Sequence, residues 1–234
     1  MRYKAICFDI DGTLYPFSLM QKRLLCIWLR HPFFVTRYNR MRKQFRLWQK
    51  SFKQNIPFRW REAVIIQNGT GEELDKSFLE SDYQKTYDSL KRKMYDPMEN
   101  LYRKTAPFDG VRETFRNIKA HGLKIGVFTD FPMYEKLKSM GLDEYVDFGA
   151  SSDDAGFLKP DSHCFGYLLY NLKMEPSDVL YVGDSYVKDI VGAHNAGIDA
   201  VLVNVKPSEY PLAKEVFGSW KEFDAWLASG MEDR

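Results

Sequence analysis

Asp9 and Asp11 stand two residues apart at the end of the apolar run Ala5-Ile6-Cys7-Phe8, just before Gly12-Thr13. Residues two apart on an extended chain point the same way, so the pair can present two carboxylates at one place. Neighbouring carboxylates repel, and such a pair persists where a cation, a shared proton or catalytic use offsets the repulsion. Three later apolar runs end in polar groups too. Residues 123–128 lead into Thr129-Asp130, Gly156-Phe157-Leu158 into Lys159-Pro160-Asp161, and 179–182 into Gly183-Asp184-Ser185, with Asp189 following. One hydroxyl, one ammonium and further acids are thus available at loop positions. A hard divalent cation takes oxygen ligands from carboxylates and substrate phosphate, so Asp9, Asp184 and Asp189 can share one. Lys159 and Thr129 would then balance the phosphate.

Strands must deliver these groups, and helices must separate the strands. Strand patterns cover 3–9, 123–128, 146–150, 179–182 and 200–204. Helical patterns cover 111–120, a segment opened by Pro132 and stopped by Gly141, 162–172, 189–196 and a closing stretch at 220–227. Alternation of this kind predicts an α/β fold, a Rossmann-like parallel sheet with helices on both faces. Ligands of such sheets bind at the carboxyl ends of the strands, where the acids stand. Residues 15–104 break the rhythm and read as a mainly α-helical insertion. Tyr38, Met41, Phe45, Trp48 and Phe52 alternate at spacings of three and four, the apolar stripe of one helix. Asn68-Gly69 signals a turn, and Thr70 with Glu73 forms a capping box for a second helix running to about Met94. The expected division is a core of residues 1–14 and 105–234 with a helical domain at 15–104.

The chain of 234 residues, 44% hydrophobic, suffices for one core domain and a smaller insertion. Its three cysteines, Cys7, Cys26 and Cys164, show no close pairing, which points to a reducing, cytoplasmic setting. Asp9 and Asp11 cut the first apolar run too early for a secretory signal, and Leu24–Leu29 is too short to span a bilayer. His31, His121 and His194 lack metal-ligand spacing, and His163 reads as a surface helix residue.

Charge is sharply segregated. Between Gln21 and Arg61 lie twelve lysines and arginines and no acid. The whole chain carries +2, so the remainder carries about −10. Aromatic residues interleave with the basic ones, among them Trp28, Phe33, Phe34 and Trp60. Such a stretch suits nucleic acid or an anionic membrane. The favoured reading is a helical unit whose rings form its own core and whose charges are solvated or draw an anionic substrate into the cleft.

The four polar strand ends, Asp9-Ile10-Asp11-Gly12-Thr13, Thr129, Lys159 and Gly183-Asp184-Ser185 through Asp189, resemble the motifs of the haloacid dehalogenase superfamily in their usual order. The resemblance covers residues 3–14 and 105–205. It implies a phosphatase-type member whose insertion is a cap that closes over the active site. It further implies that Asp9 is the nucleophile, forming an aspartyl-phosphate, and that Asp11 protonates the leaving oxygen and then activates water. Magnesium would be held by Asp9, Asp184, the backbone carbonyl of Asp11 and, directly or through water, Asp189. Thr129 and the backbone amide of Asp130 would hold phosphate oxygens, and Lys159 would neutralise phosphate and nucleophile. Asp130 departs from the asparagine of many relatives. An acid at Asp11 separates the chain from the dehalogenating branch. By the same resemblance the substrate is a small phosphorylated metabolite. A phosphomutase, which uses the same acids, and a binding protein acting through residues 21–61 are the rival readings.

Overall fold

The structure is a computed structural model, and it describes residues 2–51, 56–69, 78–206 and 208–232. Its centre is a six-stranded sheet in which every pairing is parallel. The strands are β1 (Ala5–Phe8), β2 (Lys124–Thr129), β3 (Phe148–Ser151), β4 (Val179–Gly183), β5 (Asp199–Leu202) and β6 (Glu215–Val216), in spatial order β3-β2-β1-β4-β5-β6. β1 is apolar throughout because it is central. Phe8 is in register with Val127 on one side and Val182 on the other, and all four residues of β1 are buried. Alternate residues serve opposite faces. Ile6 and Phe8 join a cluster with Phe115, Trp220 and Phe223, whereas Ala5 and Cys7 pack with Leu168, Leu172 and Tyr181.

The insertion lies between β1 and β2. It comprises α1 (Phe17–Arg30), α2 (Pro32–Trp48), α3 (Phe58–Asn68), α4 (Glu80–Leu90) and α5 (Asp96–Tyr102). The remaining helices are α6 (Val111–Ala120), α7 (Tyr134–Met140), the single turn α8 (Ser152–Ala155), α9 (Ser162–Leu172), α10 (Val191–Asn195) and α11 (Trp220–Glu232). α6 and α11 supply Phe115, Trp220 and Phe223 to one face of the sheet, and α9 supplies Leu168 and Leu172 to the other. The α/β reading and the parallel sheet therefore hold.

Several expectations change in detail. β1 is shorter than 3–9, although the amide of Asp9 still donates to Val182 O at 2.9 Å, so its backbone stays anchored to the sheet. In α2 the stripe residues Tyr38, Met41 and Phe45 are buried, and the helix stops at Trp48; Phe52 lies outside the described residues. α1 has no counterpart among the sequence expectations, because Leu19, Leu25 and Leu29 are exposed and blur its period. Gly69, at φ 77°, ends α3 as the turn signal anticipates. The capping box of Thr70 and Glu73 lies outside the described residues. The helix expected to end near Met94 instead runs from α4 through a wide π-turn (Lys91–Tyr95) into α5, whose second residue is Pro97. Pro97 lacks an amide donor and would clash with a regular preceding turn, which the wider turn accommodates. A second wide turn (Tyr186–Ile190) begins the segment expected as one helix over 189–196, and Asp189 lies in it.

Candidate active site

The carboxyl edge of the sheet gathers the polar strand ends. Asp9 follows β1, Thr129 ends β2 with Asp130 beyond it, and Asp184 follows β4. Lys159 comes from the loop before α9, and the wide turn after β4 brings in Asp189. Lys159 is the electrostatic hub. Its Nζ lies 2.7 Å from Asp9 Oδ1 and 2.6 Å from Asp189 Oδ1, and it donates to Tyr181 Oη at 3.3 Å. Burial alone would lower the pKa of this ammonium, but Asp189 and Asp9 outweigh that and raise it well above the lysine range.

Asp9, Asp184 and Asp189 each offer a carboxylate oxygen, and these oxygens lie within 4.8 Å of one another. Burial pushes the pKa of Asp9 upward, with Asp189, Asp184 and Asp11 adding to the push while Lys159 opposes it. Asp184 is likewise raised, by burial and then by Asp189. The donor set is all oxygen, and the charged forms of Asp9 and Asp184 are held back by burial and by neighbouring carboxylates, a cost that a hard divalent cation would relieve, so these residues fit magnesium. Gly12 permits the cluster. Its φ is +94°, and a Cβ there would stand 2.1 Å from Asp184 Oδ2. The amide side chain of Asn204 fastens this turn by donating to the carbonyls of Gly12 and Thr13 at 3.0 and 3.1 Å.

Asp11 has a separate environment. Lys136 Nζ donates to both of its carboxylate oxygens, at 2.7 and 2.6 Å; Thr129 Oγ1 donates at 3.1 Å and the Tyr15 hydroxyl donates as well. Burial would raise the pKa of Asp11, but the charge and hydrogen bond of Lys136 outweigh it with help from Tyr15 and Thr129, leaving it below the ordinary value. Two carboxylates two residues apart are thus driven in opposite directions, the pattern that separates acid–base roles.

Asp130 is the point where the insertion meets this edge. Its carboxylate accepts from the Lys159 amide at 3.0 Å and from Ser152 Oγ at 3.2 Å, and it pairs with Arg46 at 2.8 Å and Arg42 at 3.5 Å. Arg46 also donates to Lys159 O at 2.9 Å, and Arg42 pairs with buried Glu62 at 3.2 Å. Burial would raise Asp130, yet Arg42, Lys159 and Arg46 hold it down at about 2. A cavity of about 240 Å³ opens between Asp9, Asp11, Thr129, Lys159, Asp184 and the ring of Phe17 at the start of α1. A larger cavity of about 480 Å³ beside His163 contains none of the strand-end groups. His163 itself is largely exposed, stacks on Phe157 and bonds Asp161, in keeping with a surface role.

All seven residues expected at the site, Asp9, Asp11, Thr129, Asp130, Lys159, Asp184 and Asp189, come together here. Two are engaged differently than expected: the Thr129 hydroxyl points to Asp11, and the Asp130 carboxylate is clasped by arginines of the insertion. The basic stretch matches its favoured reading in its rings, since Tyr38, Phe45 and Phe58 are buried and Phe34, Trp48 and Trp60 pack against them, but not all of its charges are solvated and not all of its rings are covered. Arg42 and Arg61 are buried and Arg46 reaches the site, whereas Phe33 is 91% exposed. Sequence reasoning missed Lys136, Tyr15, Arg42 and Arg46. The signal for Lys136 was its place four residues before fully buried Met140, a core position of α7; Arg42 similarly follows buried Tyr38 by four.

Comparison with known proteins agrees with this geometry. The sequence profile of haloacid dehalogenase-like hydrolases matches residues 3–197. The chain is 29% identical over 216 residues to the glyceraldehyde 3-phosphate phosphatase of Methanothermobacter thermautotrophicus, covering 88% of each chain. It is 26% identical over 228 residues to the ribulose-1,5-bisphosphate 5-phosphatase of Halopiger xanaduensis, covering 90% of this chain and 88% of that one. The fold matches the magnesium-bound HAD-hydrolase YfnB of Bacillus subtilis with a TM-score of 0.65 at 18% identity, over 97% of this chain and 100% of the other. The chain belongs to the haloacid dehalogenase-like hydrolases, as a phosphatase-type member.

Proposed function

We propose that this enzyme hydrolyses phosphate monoesters of small sugar-like metabolites with magnesium, through a phosphate ester of Asp9. The observation that carries the reading is the division of carboxylates around Lys159: Asp9, Asp184 and Asp189 within 4.8 Å of one another on one side, and Asp11 held apart by Lys136. The side chains of Asp9 and Asp184 and the carbonyl of Asp11 would hold the magnesium. Asp189 would contribute through water, since both of its oxygens are engaged, one by Lys159 and one by the Ser185 amide. When bound, the cation supplies charge that screens the carboxylates from one another and from the phosphate.

An Asp9 carboxylate oxygen attacks phosphorus, and the bond from phosphorus to the ester oxygen breaks. The leaving oxygen takes a proton from Asp11. Water then attacks the phospho-aspartate, gives its proton to Asp11, and releases phosphate with Asp9 restored. Asp11 must bind a proton before the first step, although its neighbours favour the charged form. An arriving phosphate changes that balance in two ways. Its negative charge raises the pKa of Asp11, and it draws the Thr129 hydroxyl away to a phosphate oxygen, removing one bond that holds Asp11 ionised. Lys159 and the amide of Asp130 offset the charge on the phosphoryl group. The named activities of the two relatives, on a triose phosphate and a pentulose bisphosphate, support a phosphorylated sugar as the substrate class.

The test is phosphate release from a panel including glyceraldehyde 3-phosphate and ribulose 1,5-bisphosphate, with magnesium and with a chelator. Release that needs the metal and falls by about 10⁴-fold or more in Asp9→Asn is expected. Full activity in chelator, or in the Asp9 variant, would overturn the mechanism.

A further inference from the structure

At the end of the insertion remote from the cleft, the molecule presents a feature that its chemistry does not use. α1 starts at Phe17, beside the cavity of the site, and its 14 residues carry the chain about 20 Å away to Arg30. There the helix turns its apolar side chains outward. Leu25, Trp28 and Leu29 are exposed, Leu29 to 73%, and Phe33 just beyond the turn is 91% exposed. Beside them a cavity of about 290 Å³ is lined by Arg30, His31, Arg92, Lys93 and Cys26, and shares no residue with the lining of the active-site cavity. Among the described residues, Lys22, Arg30, Arg92 and Lys93 have no carboxylate partner; Asp96, one helical turn beyond Arg92, forms no ion pair with it. Lys93 instead lies over the ring of Phe34, 5.0 Å from its centroid.

Protruding aliphatic and aromatic side chains ringed by unpaired cations match one environment closely, the boundary between anionic headgroups and acyl chains. We infer that the turn between α1 and α2 docks on an anionic phospholipid surface, with Leu29 and Phe33 entering the acyl boundary and the Arg30, His31, Arg92 and Lys93 pocket receiving a headgroup phosphate. Charge complementarity selects this occupant: Lys22, Arg30, Arg92 and Lys93 gather at this end with no carboxylate partner among the described residues, whereas Arg42, Arg46 and Arg59 of the same basic stretch are spent on acids at the sheet edge. Two features disfavour single-stranded nucleic acid. Leu25 and Leu29 offer bases no stacking face, and Phe33 protrudes rather than flooring a groove. The docking is peripheral, because no described helix is long and apolar enough to cross a membrane. It goes beyond the proposed hydrolysis and does not depend on it.

Co-sedimentation of the full chain with phosphatidylcholine vesicles, with and without about 30 mol% phosphatidylglycerol, tests the inference. Binding to the anionic vesicles alone is expected, and it should fade at high salt. Arg30→Gln and Arg92→Gln should each weaken it about five-fold, and Phe33→Ser and Leu29→Ser should weaken it without altering the salt dependence. All four positions are exposed, so thermal midpoints should stay at the wild-type value. No association at low salt would overturn the inference, as would binding indifferent to these four substitutions. So would salt-sensitive binding to a single-stranded RNA with none to vesicles, or a concentration-dependent mass abolished by Leu29→Ser, which would make this face a contact between copies.

Discussion

Lys136 is the residue whose chemistry reaches furthest beyond its place in the sequence. It is fully buried, bonds both oxygens of Asp11, and lies 4.2 Å from the ring centroid of Tyr102. A buried ammonium in that position fixes the Asp11 carboxylate beside the cavity, and in the proposed mechanism it would set the readiness of Asp11 to exchange a proton. Lys136→Met should therefore lower kcat on the order of 10²-fold with a smaller change in KM, the loss expected when acid–base help is misplaced rather than removed. It should also cost about 3 kcal/mol of stability in urea unfolding, because Asp11 would be left buried and unpaired. An unchanged kcat would show that Asp11 needs no such partner.

At the scale of elements, two local departures from regular geometry build the site. The turn after β1 needs the left-handed conformation of Gly12, and the wide turn after β4 aims Asp189 back at Lys159. In that turn the Asp189 amide donates to Ser185 O at 2.8 Å, while its carboxylate accepts from the Ser185 amide at 2.9 Å. π-turns of this kind recur where a side chain must be re-aimed. Gly12→Ala combines an unfavourable φ with a Cβ in the space of Asp184, so the carboxylate must move. The expected result is about a 10-fold or larger rise in the magnesium concentration for half-maximal phosphate release. A magnesium titration matching wild type would mean that Asp184 is dispensable for the metal.

At the scale of the whole molecule, the insertion is clasped to the sheet edge by charge as well as by apolar packing. Arg42 and Arg46 converge on Asp130, Arg59 pairs with Asp153 at 2.5 Å, and Gln49 bonds Leu158 in both directions. Asp130 titrates at about 2, below the 3.8 of an ordinary aspartate, so folding favours its ionised form. The stabilisation is fully present above pH 3.8 and is lost as pH falls through 2, on the order of 2 kcal/mol in all. Asp130→Asn should accordingly be less stable than wild type at pH 5, with the gap narrowing by about that amount toward pH 2, as denaturant midpoints at each pH would record. A gap independent of pH would mean that Asp130 is not ionised in the clasp.

The sheet and its catalytic edge were legible in the residues themselves because both depend on short-range rules. A central parallel strand must be apolar on both faces, and the polar group that follows it must emerge at the carboxyl end, so runs such as 5–9 and 179–184 fix a strand and its cargo together. The α1 helix, the wide turns and the partners of Asp11 and Asp130 were not legible. Exposed leucines erase the period of α1, and the extra residue of a π-turn leaves no compositional mark. Lys136 meets Asp11, and Arg46 meets Asp130, across separations of 125 and 84 residues, which the folded positions of α7 and α2 alone set. Sequence thus determined which polar groups gather at the carboxyl edge of the sheet, since their types and their places at strand ends are local properties. Tertiary structure decided which of them are held ionised and which resist ionisation, because burial and the distance to a countercharge exist only once the chain has folded.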